Sequence, residues 1–233
     1  MIQTFCMVFW CEPQSMTVSE MVNFSYSVMK TLRGYGDELN HKYLTVSKKS
    51  DIKEFELGKD NLRKVIEKSI NKEGNRLFND LSRRFGFFSS LDEEKSSGLS
   101  IAVGGTNPMF NNTVTVSLPY VGFSGFSDRK EDFYQLFKSL TSIINPYFAF
   151  IYNNLNKQLS YEFWDEKPTY VHWMNYYSPN TMNKIGAQKI KSLENIEFTS
   201  DGAFLKLFDE PLDVDNQSHL DKQREVSKLL DLL

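Results

Sequence analysis

The sequence predicts an α+β fold in which a largely antiparallel sheet carries helices packed on one face. Its short apolar segments come in neighbouring pairs joined by turns, at 99–118 and at 196–208, which is typical of hairpins and not of parallel crossovers. Amphipathic helical segments separate these pairs, and both halves of the chain end with a hairpin followed by a helix. This order indicates two loosely duplicated β-α-β-β-α halves, although no residue-level repeat accompanies it.

The N-terminal elements are clearly marked. Residues 4–11 are almost entirely apolar and predict a buried strand. A helix follows, because Thr17 and Glu20 have the spacing of a capping box and methionines flank them on both sides. Gly34 marks the end of this helix.

The stretch from 35 to 98 carries weaker signals. A short strand is predicted at 43–46 and an amphipathic helix at 60–70. Residues 89–98 are polar and predict a solvated loop, after which alternating strands begin at Leu99 and Val114. A third, short helix is predicted on four apolar residues, Leu77, Phe78, Leu81 and Phe85.

The second half begins with the most regular helix of the chain. Apolar residues between Arg129 and Ile144 follow the 3.6-residue period, and Asn145-Pro146 ends the helix. The remaining elements are predicted to be a strand at 147–152, a strand at 169–177, a helix at 181–193 broken at Gly186, a hairpin at 196–208 over Ser200-Asp201-Gly202, and a final helix capped by Asn216 or Ser218.

Length and composition limit the class of protein. A chain of 233 residues buries enough apolar surface to fold as a single domain, 1–233, with 1–145 and 146–233 as candidate subdomains. The net charge of −3 provides no basic field for nucleic acid or an anionic membrane. No apolar stretch approaches the ~20 residues that span a bilayer, so we expect a cytoplasmic protein. Cys6 and Cys11 fall on opposite faces of the first strand, which excludes a disulfide between them.

The polar residues do not form a pattern that reaction chemistry requires. His41, His172 and His219 lack metal-ligand spacing, and the sequence contains no phosphate-binding loop or nucleophile motif. We therefore expect no catalytic residue, no cofactor and no metal. The alternative is a carboxylate-dependent soluble hydrolase that uses Glu162 or Asp165 as acid or base, although nothing in the sequence places either carboxylate in a pocket.

Two aromatic segments are candidate partner-binding sites. One mixes aromatic and acidic side chains, and the other is a loop rich in Gly, Ser and Phe. Aromatic anchors flanked by acids suit the binding of a basic protein, although Trp164 in the core is an equally good interpretation. The candidate residues are Tyr161, Glu162, Trp164, Asp165 and Glu166 in the first segment, and Phe123 and Phe126 in the second.

The acidic run that contains Asp209, Glu210 and Asp213 has two interpretations. Acidic residues before a helix cap its N-terminus and complement its dipole. The same run can form an acidic patch that faces a partner. A calcium loop is disfavoured, because the central glycine is missing and Arg224 occupies the position of the bidentate glutamate.

Three stretches carry a resemblance to a known family. They are FCMVFWCEPQSMTVSEM at the start, LSIAVGG followed by NTVTVSLP in the middle, and YVHWMNYYSP, KIG and DGAFLKLFDEPLDVDNQSHL at the end. In them the chain resembles the immunity protein 52 family of bacterial polymorphic toxin systems and the related immunity proteins of type VI secretion effectors. The matching residues, each with a structural reason in core, turn or cap, are Trp173, Gly186, Gly202, Asp209, Asp213 and Asn216.

The resemblance implies a protein that binds one cognate toxin domain and blocks it by direct, stoichiometric occlusion, which protects the producing cell and its kin. It implies no catalytic residues. The mildly acidic composition suits a basic toxin domain, such as a nuclease. We expect a monomer or weak dimer with no nucleic-acid or membrane partner.

Overall fold

The computed structural model describes residues 4–118, 129–156 and 170–232. Its strands are β1 (Phe5–Cys11), β2 (Tyr43–Leu44), β3 (Lys72–Glu73), β4 (Arg76–Leu77), β5 (Arg83–Phe88), β6 (Gly98–Val103), β7 (Asn112–Ser117), β8 (Phe148–Asn153), β9 (Met174–Tyr177), β10 (Ile196–Thr199) and β11 (Gly202–Lys206). Its helices are α1 (Val18–Arg33), α2 (Lys59–Lys68), α3 (Lys130–Ile144), α4 (Pro179–Ile185), α5 (Ala187–Lys191) and α6 (Gln217–Leu229).

Nine of these strands form one antiparallel sheet in the order β10-β11-β9-β8-β1-β7-β6-β5-β2, and β3 and β4 form a separate small hairpin. The predicted α+β class is confirmed. β1 lies near the middle of the sheet, where Phe9 pairs with Val114 of β7 on one side and with Ala149 of β8 on the other. This central place explains the continuous apolar sequence of β1, because both of its faces and both of its edges are covered.

The first face of the sheet carries Phe5, Met7 and Phe9 of β1 and is covered by α1 and α3. The ring of Phe9 lies 5.6 Å from that of Phe137 in α3. The helix predicted from the apolar spacing between Arg129 and Ile144 is confirmed as α3. Its buried side chains recur every three or four residues and point towards this face. The helix ends where Asn145 adopts a left-handed conformation with φ 51°, directly before Pro146.

The second face carries Cys6, Val8 and Trp10 of β1, and the described residues cover it over β1, β8 and β9. There the ring of His172, in the segment before β9, stacks on Phe150, and α6 holds this segment in place. The amide of Val171 donates to Ser227 Oγ at 3.1 Å, and Gln223 Nε2 donates to the carbonyl oxygen of Val171 at 2.7 Å. Helices therefore lie over both faces of the sheet, with α6 on the second.

The predicted short helix on Leu77, Phe78, Leu81 and Phe85 is wrong. The region forms β4 and β5, and Phe85 and Phe87 pair with Ile101 and Leu99 of β6. Apolar residues at 77, 78, 81 and 85 have helical spacing by coincidence. Pairing with a distant strand buries Phe85 and Phe87 on the first face, and this outweighs the local pattern.

One further prediction needs a smaller correction. The strand predicted at 169–177 is regular only over β9, because the Asn175 side chain bonds both the amide and the carbonyl of His172 and so replaces a strand partner. The remaining strands and helices lie within a few residues of their predicted positions, and the break at Gly186 is confirmed. No helix in the described ranges is long and apolar enough to cross a bilayer.

Candidate interaction surface

Two of the three histidines have clear structural roles. His172 is buried, and its ring stacks on Phe150 at 4.1 Å between centroids. Burial lowers the pKa of His172 to about 3, so the ring is neutral at physiological pH. His219 stacks on Phe208 at 4.3 Å, and its Nδ1 accepts a hydrogen bond from the amide of Asp213 at 3.0 Å.

The third histidine forms a serine–histidine pair that sequence reasoning missed. His41 Nε2 lies 3.0 Å from Ser97 Oγ, which also reaches the carbonyl oxygen of Glu38 at 2.5 Å and Ser89 Oγ at 3.1 Å. Ser97 is fully buried, and burial lowers the pKa of His41 to about 4. The pair therefore ties three loops together and does not present a nucleophile to a substrate. No local signal could reveal it, because His41 and Ser97 lie 56 residues apart in sequence.

The described ranges also hold no group of three or more His, Cys, Asp or Glu side chains placed to bind a metal ion. Both cysteines are free, and burial raises the pKa of Cys6 to about 12, which keeps it a thiol.

The acidic run from Asp209 to Asp213 is already paired within the protein. Lys206 lies 2.9 Å from Asp209, and this hydrogen bond lowers the pKa of the carboxyl. Glu210 pairs with Lys130 at the start of α3. The Asp213 carboxylate accepts the amide of Asp215 at 2.9 Å, in the turn before the cap of α6. The N-cap of α6 is Asn216 and not a residue of this run. Within the described residues the run instead forms a turn before α6 and a tie to α3.

The other predicted partner-binding residues, Tyr161, Glu162, Trp164, Asp165, Glu166, Phe123 and Phe126, lie outside the described residues.

One part of the sheet's second face has no cover from the described residues. It lies over β5, β6 and β7, where one row across the sheet runs from Thr115 through Ser100 to Gly86. These small side chains leave a shallow cavity of about 460 Å³, which Arg84 and Ser117 also line. On the neighbouring half of the same face, Trp10, Phe148 and Phe150 fill the equivalent space with aromatic rings.

Three exposed apolar side chains, which together we call the apolar tip, lie on the β3–β4 hairpin and on the loop between β6 and β7. They are Leu77, Met109 and Phe110, whose exposed fractions are 54%, 82% and 58%. The loop that carries Met109 and Phe110 is anchored, since the amide of Thr106 donates to the carbonyl oxygen of Asp80 at 2.8 Å. Exposed apolar clusters of this kind mark interaction sites.

Arg84 connects the uncovered sheet face with the apolar tip. It lines the sheet-face cavity, and it also lines a second cavity of about 190 Å³ together with Asn71, Leu81 and Phe110. Its side chain is exposed and, within the described part of the chain, takes part in no ion pair. We call the combined region the Arg84 surface: Arg84, Gly86, Ser100, Thr115 and Ser117 with the apolar tip.

No protein-family model matches the sequence, and no curated protein matches it significantly. Among solved structures, the chain is similar to the T6SS protein PA0821 of Pseudomonas aeruginosa, with a TM-score of 0.61 and 11% sequence identity. The match covers 98% of this chain and 76% of that one. At this identity the comparison establishes a shared fold, one that a protein linked to type VI secretion also has.

Proposed function

We propose that this protein is an immunity protein that binds a cognate type VI secretion toxin domain and neutralises it by direct occlusion. The observation that carries the proposal is the Arg84 surface, where a part of the sheet that the described residues leave uncovered adjoins the exposed apolar tip and its anchored loop. The shared fold with a T6SS protein supports the link to type VI secretion.

The composition of this surface suits protein binding. Arg, Met and aromatic side chains are enriched in protein interfaces, and Arg84, Met109 and Phe110 are exposed here within one region. Anchoring of the tip loop lowers the conformational entropy that association would otherwise cost. The Ser and Thr side chains of the sheet face provide hydrogen-bonding groups around these anchors.

Occlusion requires only tight, stoichiometric binding, so the mechanism needs no reaction by the immunity protein itself. The buried, neutral state of His41 and His172 agrees with such a role. In this proposal the protein acts in the cytoplasm of the producing cell, where a bound toxin domain cannot reach its substrate. The cell and its kin are thereby protected.

Co-expression with the toxin domain encoded next to this gene tests the proposal. We expect growth to be restored and a one-to-one complex to elute from a sizing column. An unrelated immunity protein, expressed at the same level, is the control and should leave the toxicity unchanged. Persistent toxicity together with the absence of a complex would refute the proposed function.

A further inference from the structure

Basic side chains concentrate in one segment of this otherwise acidic protein. Residues 63–84 hold seven basic and three acidic side chains, a net charge of +4. Because the whole chain carries −3, the remaining residues carry −7. The segment includes the second half of α2, the β3–β4 hairpin and the start of β5, and so it ends at Arg84.

None of these ten charged side chains forms an ion pair with any other described residue. Elsewhere in the described chain some charges are paired, and the pairs include Lys206 with Asp209 and Lys130 with Glu210. Segment 63–84, which contains Leu77 and Arg84, therefore carries its net positive charge outside any described ion pair, whereas Asp209 and Glu210 are paired within the protein.

Two arginines of this segment, Arg76 and Arg84, lie beside apolar or aromatic side chains. Arg84 lines the cavity that holds Phe110. Arg76 lies with its guanidinium carbon 4.9 Å from the centre of the Phe78 ring, in the hairpin that also carries Leu77. The amide of Phe78 donates to the carbonyl oxygen of Asn71, which lines the same cavity as Arg84, so the hairpin adjoins this cavity. An arginine stacked on an aromatic ring, as Arg76 is on Phe78, is pre-organised to bind carboxylates of a partner.

We infer that the Arg84 surface is the side of the protein that covers the toxin, and that the toxin region it covers is acidic with an apolar centre. This inference rests on the proposed function and specifies its partner. Charge complementarity with Arg76 and Arg84 steers the encounter, and the apolar tip supplies the desolvated contact. The partner expected here is opposite in charge to the basic toxin that the overall composition indicates.

A protein partner fits this surface better than a nucleic acid does. Single-stranded nucleic acid is held on stacked aromatic rings along a basic groove, and duplex is held by extended rows of phosphate contacts. The tip instead combines a single aromatic ring, that of Phe110, with Leu77 and Met109. The sheet face beside it is lined by Ser100, Thr115 and Ser117, and the ring of Phe88 on that face is already stacked on Tyr43 at 5.3 Å.

Calorimetric titration with the neighbouring-gene toxin domain tests the charge. The double variant Arg76→Glu/Arg84→Glu should weaken binding by more than about tenfold. The matched control is Lys191→Glu/Lys228→Glu, which reverses two exposed charges on α5 and α6. Between β5 and β9 lie four strands, and we expect the control to change the affinity less than about threefold.

A second variant tests the apolar tip in the same titration. Met109→Ser/Phe110→Ser should weaken binding as much as the arginine variant. Equal affinities for the arginine variant and the lysine control would overturn the inference while leaving the immunity function intact.

A second measurement decides the inference if the wild-type protein does not bind that toxin domain. Isotope-labelled protein is titrated with a short peptide in which glutamates alternate with tryptophans, and in parallel with its glutamine counterpart and with duplex DNA. We expect amide shifts that cluster at Arg84 and Phe110 for the acidic peptide only. Such shifts without toxin binding would reject the immunity function and retain the acidic partner. Scattered shifts, or larger shifts with DNA, would reject the inference.

Discussion

Asn112→Ala removes the amide that fastens the apolar tip to the sheet. Asn112 is only 4% exposed and uses its complete hydrogen-bonding capacity. Its Oδ1 accepts from Ser82 Oγ at 2.8 Å and from the amide of Gly105 at 2.9 Å. Its Nδ2 donates to the carbonyl oxygens of Glu12 and Gly105, both at 3.1 Å. One side chain thus joins the tip loop to β5 and to the end of β1.

The size of the effect follows from these four bonds. Each contributes roughly 0.5–1.5 kcal/mol net, and water reaches some of the groups that the alanine leaves unpaired. We therefore expect the free energy of unfolding to fall by about 3 kcal/mol. For a chain of this length that corresponds to a decrease in Tm of roughly 6–12 °C. Urea denaturation at pH 7 measures the change, and Asn79→Ala, an exposed asparagine that makes no hydrogen bond with the described residues, is the control.

The variant Asn112→Asp tests the same hydrogen-bond network through the pH dependence of the free energy of unfolding. The new carboxylate keeps the shape of the amide, but its second oxygen replaces Nδ2. An acceptor therefore faces the carbonyl oxygens of Glu12 and Gly105 in place of a donor. Burial and these oxygens raise its pKa above that in the unfolded chain, so the folded protein binds the proton more tightly. The loss of stability relative to wild type is therefore full at neutral pH and shrinks as the pH falls through the raised pKa. A deficit that grows on acidification, or a loss below about 1 kcal/mol in the alanine variant, would refute this account.

Three other predictions concern the framework. Gly202→Ala should lower the free energy of unfolding by about 2 kcal/mol or more, because φ of Gly202 is 154° and a Cβ would lie 2.3 Å from the carbonyl oxygen of Tyr177. Thermal melts measure this change. In the same melts the control Gly58→Ser, which places a capping residue before α2, should raise the free energy of unfolding by about 0.5 kcal/mol. Thr17→Ala should lower the free energy of unfolding by about 1 kcal/mol through loss of the capping box, and Thr17→Ser should not. Burial lowers the pKa of His41 from 6.5 to about 4, so the unfolded chain binds the proton at a higher pH than the folded protein does, and stability is lost as the pH falls from 6.5 towards 4. In urea titrations, His41→Gln should reduce the loss of stability between pH 7 and pH 5 by about 2 kcal/mol. An unchanged pH profile would contradict this prediction.

Elements whose signals are local were predicted well. The capping box of Thr17 and Glu20 is formed as expected, with Glu20 Oε2 accepting the amide of Thr17 at 2.7 Å. The apolar periods of α3, β6 and β7 also predicted the buried faces correctly. In each case, residues a few positions apart create both the signal and the structure.

The segment that became β5 shows where this reasoning fails. Its apolar residues fit a helix locally, and only pairing with β6, about fifteen residues further along, makes the strand the better state. The Arg84 surface escaped prediction for a related reason. Exposure of Met109 and Phe110 depends on what the rest of the chain covers, and no short pattern encodes it.

By itself, the sequence determined the fold class and the ends of most helices. Only the tertiary structure decided which charges have no ion-pair partner among the described residues, and which part of the sheet those residues leave uncovered. The order of strands places β5, β6 and β7 on one side of β1, and the segment held by α6 covers the second face on the other side. The candidate interaction surface is the part of the sheet that the described residues leave uncovered, because burial depends on contacts between residues far apart in the chain.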